Sequence, residues 1–298
     1  MQPRKASSVV LLRQGKGKQL EVLMAQRSKN LKSFAGAFVF PGGVAESCDG
    51  EEGTREQSKR CGLRELFEEA GVLLAKSRVG NRAKPVSFAS KEERREWQKR
   101  VKDNPKEFDQ LLKEKNATLA TDALFYWVTF ITPIFESRRF DTDFFIVDSK
   151  YEEGGLELDE SETASLVWIS PQEAITKNSK GEMPFLPPQY FILSTIMQAG
   201  SSPKQIVESI VNRSTDDEFL PILPHPIESK DQPSDGDGVI TLTYPGDEQH
   251  SIFPGAPGNR NRLKTKLGGK GFKLERNLPH FSLTKKEWSS ILSSKSKL

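Results

Sequence analysis

The chain has 298 residues, 35% hydrophobic and 29% charged, with a net charge of +3. That describes a soluble, rather polar protein with length for one large or two small domains. No apolar run reaches membrane-spanning length, since the longest, Leu124–Phe135, is short and carries Thr129, Thr132 and Pro133. Two cysteines, Cys48 and Cys61, exclude a disulfide framework and a cysteine-ligated zinc module, and they suit a reducing compartment.

Taken in chain order, Ser8–Leu12 and Glu21–Gln26 alternate as two strands around the turn segment RQGKGKQ, which predicts a hairpin. The basic residues ahead of Ser8 belong with that first strand and not with a signal peptide. Ala37–Phe40 reads as a strand feeding Pro41-Gly42-Gly43. A helix then ends near Ala70, with Gly71 placed as its cap. Lys76–Ala89 is loop-like, and Lys91–Lys115 predicts two charged helices broken near Pro105. Leu124–Ile134, Asp143–Val147 and Ser165–Ile169 are strand-like. Ser170-Pro171-Gln172-Glu173 is a capping box with proline at the first helical position, and a further helix follows Pro187-Pro188 to about Ala199. Beyond Gly200 the pattern is short strands, notably Val239–Tyr244, and turns, among them the segment DQPSDGDG. From Ser251 onward eleven lysines and arginines face two glutamates, so the end of the chain is basic and the rest acidic. Without interleaved aromatics, that end reads as a solvated basic extension, and no nucleic-acid partner is expected.

The segment Arg64–Gly71, RELFEEAG, sets Glu65, Glu68 and Glu69 beside one arginine. At about 100° per residue the three acids fall within about 60° of Glu65, while Leu63, Leu66, Phe67 and Ala70 lie about 100–200° away. The acids therefore share a stripe opposite the apolar side, and a solvent-facing stripe of this kind is expected. Like charges so placed cost a few tenths of a kcal/mol per pair. Water can screen them, or hard divalent cations held by carboxylate oxygens can occupy them. Arg64, four residues before Glu68, is placed to orient it by an ion pair.

Gly50 to Val72 fits G-x5-E-x7-R-E-U-x-E-E-x-G-U, where U is aliphatic and Glu56 is the first acid. This resembles the Nudix box of hydrolases that cleave a nucleoside diphosphate linked to another group. Two alignments stay open at its start. The box glycine is either Gly50 or Gly43, and the latter implies seven extra residues before the helix. Glu56 joins the stripe only from a loop or a distorted first turn. The resemblance implies an α/β fold, the Nudix α/β/α sandwich, over residues 1–200, with a helical insert at about 90–117 and a C-terminal extension over 201–298. It also implies Mg²⁺ or Mn²⁺ held by Glu65, Glu68 and Glu69. Glu65 and Glu162 both stand as candidates for the general base.

The substrate is addressed by the residues ahead of the box. Leu23–Val44, with Arg27-Ser28, Leu31, Gly36 and Phe40-Pro41-Gly42-Gly43, resembles the upstream signature of the coenzyme A diphosphatases. It departs from that signature at Lys32 and Phe34, in the manner of the family's peroxisomal branch, and the resemblance extends over roughly Ser7 to Glu248. It implies hydrolysis of CoA or acyl-CoA to 3′,5′-ADP and (acyl-)4′-phosphopantetheine, with Arg27, Gly42, Gly43 and Arg139 toward the substrate. ADP-ribose, NADH or capped RNA as substrate, or a silent Nudix binding module, are the alternatives. The terminal Ser296-Lys297-Leu298 is a signal read by the peroxisomal import receptor, so a peroxisomal matrix protein is expected.

Overall fold

The computed structural model describes residues 2–30, 34–77, 86–151, 156, 163–212, 219–227, 239–266, 270–278 and 284–295. In chain order come β1 (Arg4–Gln14), β2 (Leu20–Arg27), β3 (Phe38–Val39), β4 (Gly42–Val44), α1 (Arg55–Ala70), β5 (Ala75–Ser77), α2 (Lys91–Asp103), α3 (Glu107–Glu114), β6 (Ala117–Leu119), β7 (Phe125–Ile131) and β8 (Phe140–Asp148). They are followed by β9 (Thr163–Ile169), α4 (Pro171–Ser179), α5 (Pro187–Ala199), α6 (Pro203–Val211), β10 (His225–Pro226), β11 (Val239–Thr243), β12 (Asn261–Lys266), β13 (Lys270–Arg276) and α7 (Lys285–Lys295).

The main sheet has the order β3-β2-β1-β8-β7, with β4 also on β1 and β9 also on β2. The predicted hairpin forms as β1 and β2, in the register Leu12↔Val22. β1 and β8 run parallel from Arg4↔Phe140 to Leu12↔Asp148. β1 is apolar on both faces because both are covered. Val9 and Leu11 pack with Leu63, Leu66 and Ala70 of α1, while Val10 and Leu12 pack with Phe191, Ile192 and Ile196 of α5. Helices thus cover both faces of the sheet, which is the expected α/β/α sandwich.

Local chemistry sets the helix limits. The Thr54 side chain accepts from Gln57 N–H at the start of α1, and Gly71 closes it in left-handed conformation (φ 69°). Ser170 caps α4 as its capping box predicts. The two charged helices of the insert form as α2 and α3, and Trp97, Val101, Phe108 and Leu111 pack against Phe67 of α1. The acidic helix is therefore covered on two sides. Its glutamate stripe is not solvent-facing: Glu68 and Glu69 are 9% and 8% exposed.

The basic end of the chain also differs from the solvated extension expected of it. β10–β13 form a second sheet in which Lys264 and Lys273 both pair with Glu275, at 3.1 and 3.4 Å, and buried Arg262 pairs with Asp247. The polar content masked this, because the cations alternate with Leu263 and Leu274, which reach the core. That core is continuous, with Tyr244 set edge-on to Phe130 and Phe191. Among the described residues no helix is long and apolar enough to cross a membrane. Leu31, Lys32, Glu162, the segment DQPSDGDG and Ser296-Lys297-Leu298 lie outside the described residues.

Candidate active site

The site forms where β4 joins β1 beneath α1. Ser7 pairs with Gly43 and Ser8 with Gly42. The Ser8 hydroxyl donates to Pro41 O (2.9 Å), and Val9 N–H donates to the same oxygen (2.9 Å), which fixes the turn into the glycines. Three glycines permit the approach of helix to strand. A Cβ on Gly62 would lie 2.7 Å from Ser7 Oγ, one on Gly42 would overlap the Ser7 and Ser8 backbone, and one on Gly43 would overlap the Glu65 carboxylate. Glycine here makes room for carboxylates.

Arg64, fully buried in α1, organises the acids. Its Nε and Nη2 donate to the two oxygens of Asp49 (3.0 and 2.9 Å), and Nη2 also to Val44 O (3.1 Å). Its Nη1 donates to Glu65 (2.9 Å) and to Glu68 (2.7 Å). Glu69 accepts from Gly42 N–H (3.1 Å). Three carboxylates thus meet one guanidinium, a fourth, Glu69, lies on the adjoining glycine, and negative charge is in excess. Burial opposes the charge on Arg64, but Asp49, Glu65 and Glu68 hold its pKa above the ordinary range. Burial pushes the Glu65 carboxyl up to about 7; Arg64 works against this and the neighbouring Glu68 adds to it.

The structure decides between the two alignments of the glycine. Asp49, not Glu56, meets Arg64, and Glu56 is exposed on the first turn of α1. Gly50 is a turn glycine (φ 126°), and the acid that meets Arg64 is the one that follows Gly43. Asp49 is the site residue that the motif reading missed. Its signal was present, since it follows Gly43 by the five intervening residues the box requires.

Glu65, Glu68, Glu69, Gly42 and Gly43 are brought together. The candidate arginines are placed elsewhere on the sheet. Arg27 ends β2, with its N–H on Ala37 O (2.9 Å) and its Nε buried without a hydrogen-bond partner among the described residues. Arg139 precedes β8, with Nε donating to Thr132 O (3.1 Å). Beyond the acids, Asp143 clamps the start of α1 to the sheet, pairing with Arg55 (3.0 Å) and Lys5 (3.1 Å) and accepting from Thr129 (2.6 Å).

Comparison with known proteins agrees with this geometry. The family model described as the NUDT19 Nudix domain matches residues 56–196. A putative nudix hydrolase 7 of Caenorhabditis elegans is 31% identical over 228 residues, which cover 76% of this chain and 68% of that one. This chain belongs to the Nudix hydrolase family. The acyl-coenzyme A diphosphatase NUDT19 of Xenopus laevis is 28% identical over 301 residues, covering 82% of this Nudix hydrolase and 74% of the frog protein. A NUDIX hydrolase from Alicyclobacillus acidocaldarius shares the fold, with a TM-score of 0.60 at 23% identity over 68% of this chain and 95% of that one. This Nudix hydrolase is accordingly an enzyme that acts on diphosphate bonds.

Nudix hydrolases generally use divalent metal ions. Among the described residues no three ligand side chains converge on one point, because Arg64 and Gly42 N–H hold the carboxylates. The donor set nevertheless fits a hard cation. Its oxygens are all carboxylate, its charge is in excess, and Mg²⁺ keeps several waters and needs only one or two carboxylates.

Proposed function

We propose that the enzyme hydrolyses the diphosphate of CoA and acyl-CoA, yielding 3′,5′-ADP and (acyl-)4′-phosphopantetheine. The observation that carries this is the Arg64-centred cluster of Glu65, Glu68 and Glu69 against Gly42-Gly43, in a chain similar to proteins named acyl-coenzyme A diphosphatase. The upstream segment Leu23–Val44 supports the same substrate.

In this reading Glu65, Glu68 and Glu69 hold Mg²⁺ or Mn²⁺, which when bound neutralises phosphate charge and acidifies water. Arg64 positions two of these carboxylates through its Nη1. The backbone of Gly42 and Gly43, free of side chains, leaves room for the diphosphate beside the acids. Glu65 and Glu162 are the two candidates to accept the proton of the attacking water. Arg27 and Arg139 receive phosphate charge. The compartment read from Ser296-Lys297-Leu298 agrees with a CoA substrate, and imaging an amino-terminally tagged chain with and without Leu298 tests it.

The decisive experiment is turnover of the purified protein on CoA, acyl-CoA, ADP-ribose, NADH and capped RNA with Mg²⁺ and Mn²⁺, in oxygen-labelled water. Label in a diphosphate-derived phosphate of the CoA products is expected. Cleavage at the thioester, or faster turnover of ADP-ribose, NADH or RNA, overturns the proposal.

A further inference from the structure

The hydrogen-bond ladder of α1 ends where Gly71 N–H donates to Phe67 O (2.9 Å), and the carbonyls that follow must be satisfied from outside the helix. The first of them belongs to Glu68. The side-chain amide of Gln98 donates to it from α2 (3.3 Å). Gln98 is 5% exposed and stands on α2 beside Trp97 and Val101, the apolar residues with which that helix packs on Phe67. A buried amide in an apolar interface costs free energy unless it is bonded, and packing alone calls for an aliphatic residue there.

The last turn of a helix frays readily, and in α1 that turn carries two of the candidate metal ligands. Each of its residues is held by a different part of the chain. The Phe67 ring stacks on Phe88 and Phe108, with centroids 5.8 and 6.2 Å away. Glu68 has its carboxylate on Arg64 Nη1 (2.7 Å) and its carbonyl on Gln98, while the Glu69 carboxylate accepts from Gly42 N–H (3.1 Å). The Arg64–Glu68 pair lies within one helix and moves with it, whereas Gln98 ties the Glu68 peptide to a separate element.

We infer that Gln98 is a positioning residue for Glu68, which makes the α2–α3 insert part of the metal-holding apparatus and not only a cover for one side of α1. The inference rests on the reading that Glu68 holds the metal, and not on which diphosphate is cleaved.

The test is Gln98→Met, close in volume and without the donor, beside Val101→Ala, which thins the same interface and leaves the amide in place, and Glu68→Gln. Mn²⁺ binding is followed without substrate by loss of the free ion's electron paramagnetic resonance signal, together with the Mg²⁺ dependence of turnover and the melting temperature. Gln98→Met should need about tenfold more Mn²⁺ for half-saturation, the low end of the range for groups that orient metal ligands. The Mg²⁺ giving half-maximal rate should rise in parallel, while KM for substrate at saturating metal moves less than about twofold. Val101→Ala should lower the melting temperature and leave both metal dependences as in wild type. Should Gln98→Met not fold, Gln98→Asn, whose amide stops one methylene short, is judged by the same shifts. Wild-type metal dependence in the Gln98 variant, or an equal shift in Val101→Ala, makes Gln98 a docking residue of the insert and overturns the inference. Glu68→Gln separates the two readings. Mn²⁺ bound there as tightly as in wild type overturns the metal reading and the inference together, whereas lost binding there with unchanged binding in Gln98→Met overturns the inference alone.

Discussion

Arg64 is the residue on which the site turns, because it holds three acids in a buried position where its own charge must be compensated. Asp49→Ala removes the bidentate partner and should destabilise the protein by about 3 kcal/mol in urea unfolding, with Glu65 and Glu68 left as its only carboxylate partners among the described residues. Glu56→Ala, at an exposed position, should change neither stability nor rate, and this contrast checks which acid belongs to the box. Glu68→Gln and Glu69→Gln should each lower kcat at saturating Mg²⁺ by about 10²–10³-fold with a circular dichroism spectrum unchanged, and chelation should abolish wild-type turnover reversibly. Gly43→Ala pushes a methyl group into the Glu65 carboxylate. The carboxylate can swing aside, so the fold should survive while kcat falls about hundredfold, as for any displacement near 1 Å at a reacting centre.

Among the elements, the segment between β11 and β12 carries a buried titration that the catalytic acids do not share. His250 Nδ1 accepts from Ile252 N–H (3.2 Å) and Phe253 N–H (2.9 Å), while Nε2 bonds to Leu223 O (3.0 Å), an arrangement that requires the neutral ring. Burial pushes its pKa down to about 4, the Leu223 carbonyl opposing and His225 assisting. Between pH 4 and about 6.5 the unfolded chain therefore binds a proton that the folded one does not, and stability rises with pH across that window. The full effect is on the order of 3 kcal/mol, so the melting temperature should drop as pH falls from 7 toward 4. His250→Asn, whose amide can reproduce part of the hydrogen bonding, should flatten that slope at the cost of a lower plateau at pH 7. An unchanged slope would place the titration elsewhere.

Across the whole molecule, the core runs without a break from the central sheet into the C-terminal sheet. Tyr244 contacts Phe130 (6.1 Å) and Phe191 (5.4 Å), and Phe272 lies against Tyr190 (5.3 Å). A chain ending after Asn212 would lose Ile222, Leu242, Tyr244, Leu263 and Phe272 from that cluster. Uncovering so much apolar surface at the ends of β7 and α5 should give an aggregating product with a lost near-ultraviolet spectrum. A soluble, cooperatively melting fragment would show that the sheet is dispensable for folding.

Periodicity and capping chemistry determined the β1–β2 hairpin, the helix start at Ser170 and the stop at Gly71, because these depend on neighbours within a few residues. The same local reading clustered Glu65, Glu68 and Glu69, whose spacing lies within two helical turns. Packing decided what remained. The glutamates are covered because Gly42-Gly43 of β4 and the Arg64–Asp49 pair close on their side of α1, a contact between segments well apart in the chain. Asp49 meets Arg64 across the short turn at residues 50–54 that precedes α1, and only the folded chain shows which acid reaches the guanidinium. The basic extension became a sheet because Leu263 and Leu274 find a core on the preceding helices, and a net charge count weighs every side chain alike whichever way the strand turns it.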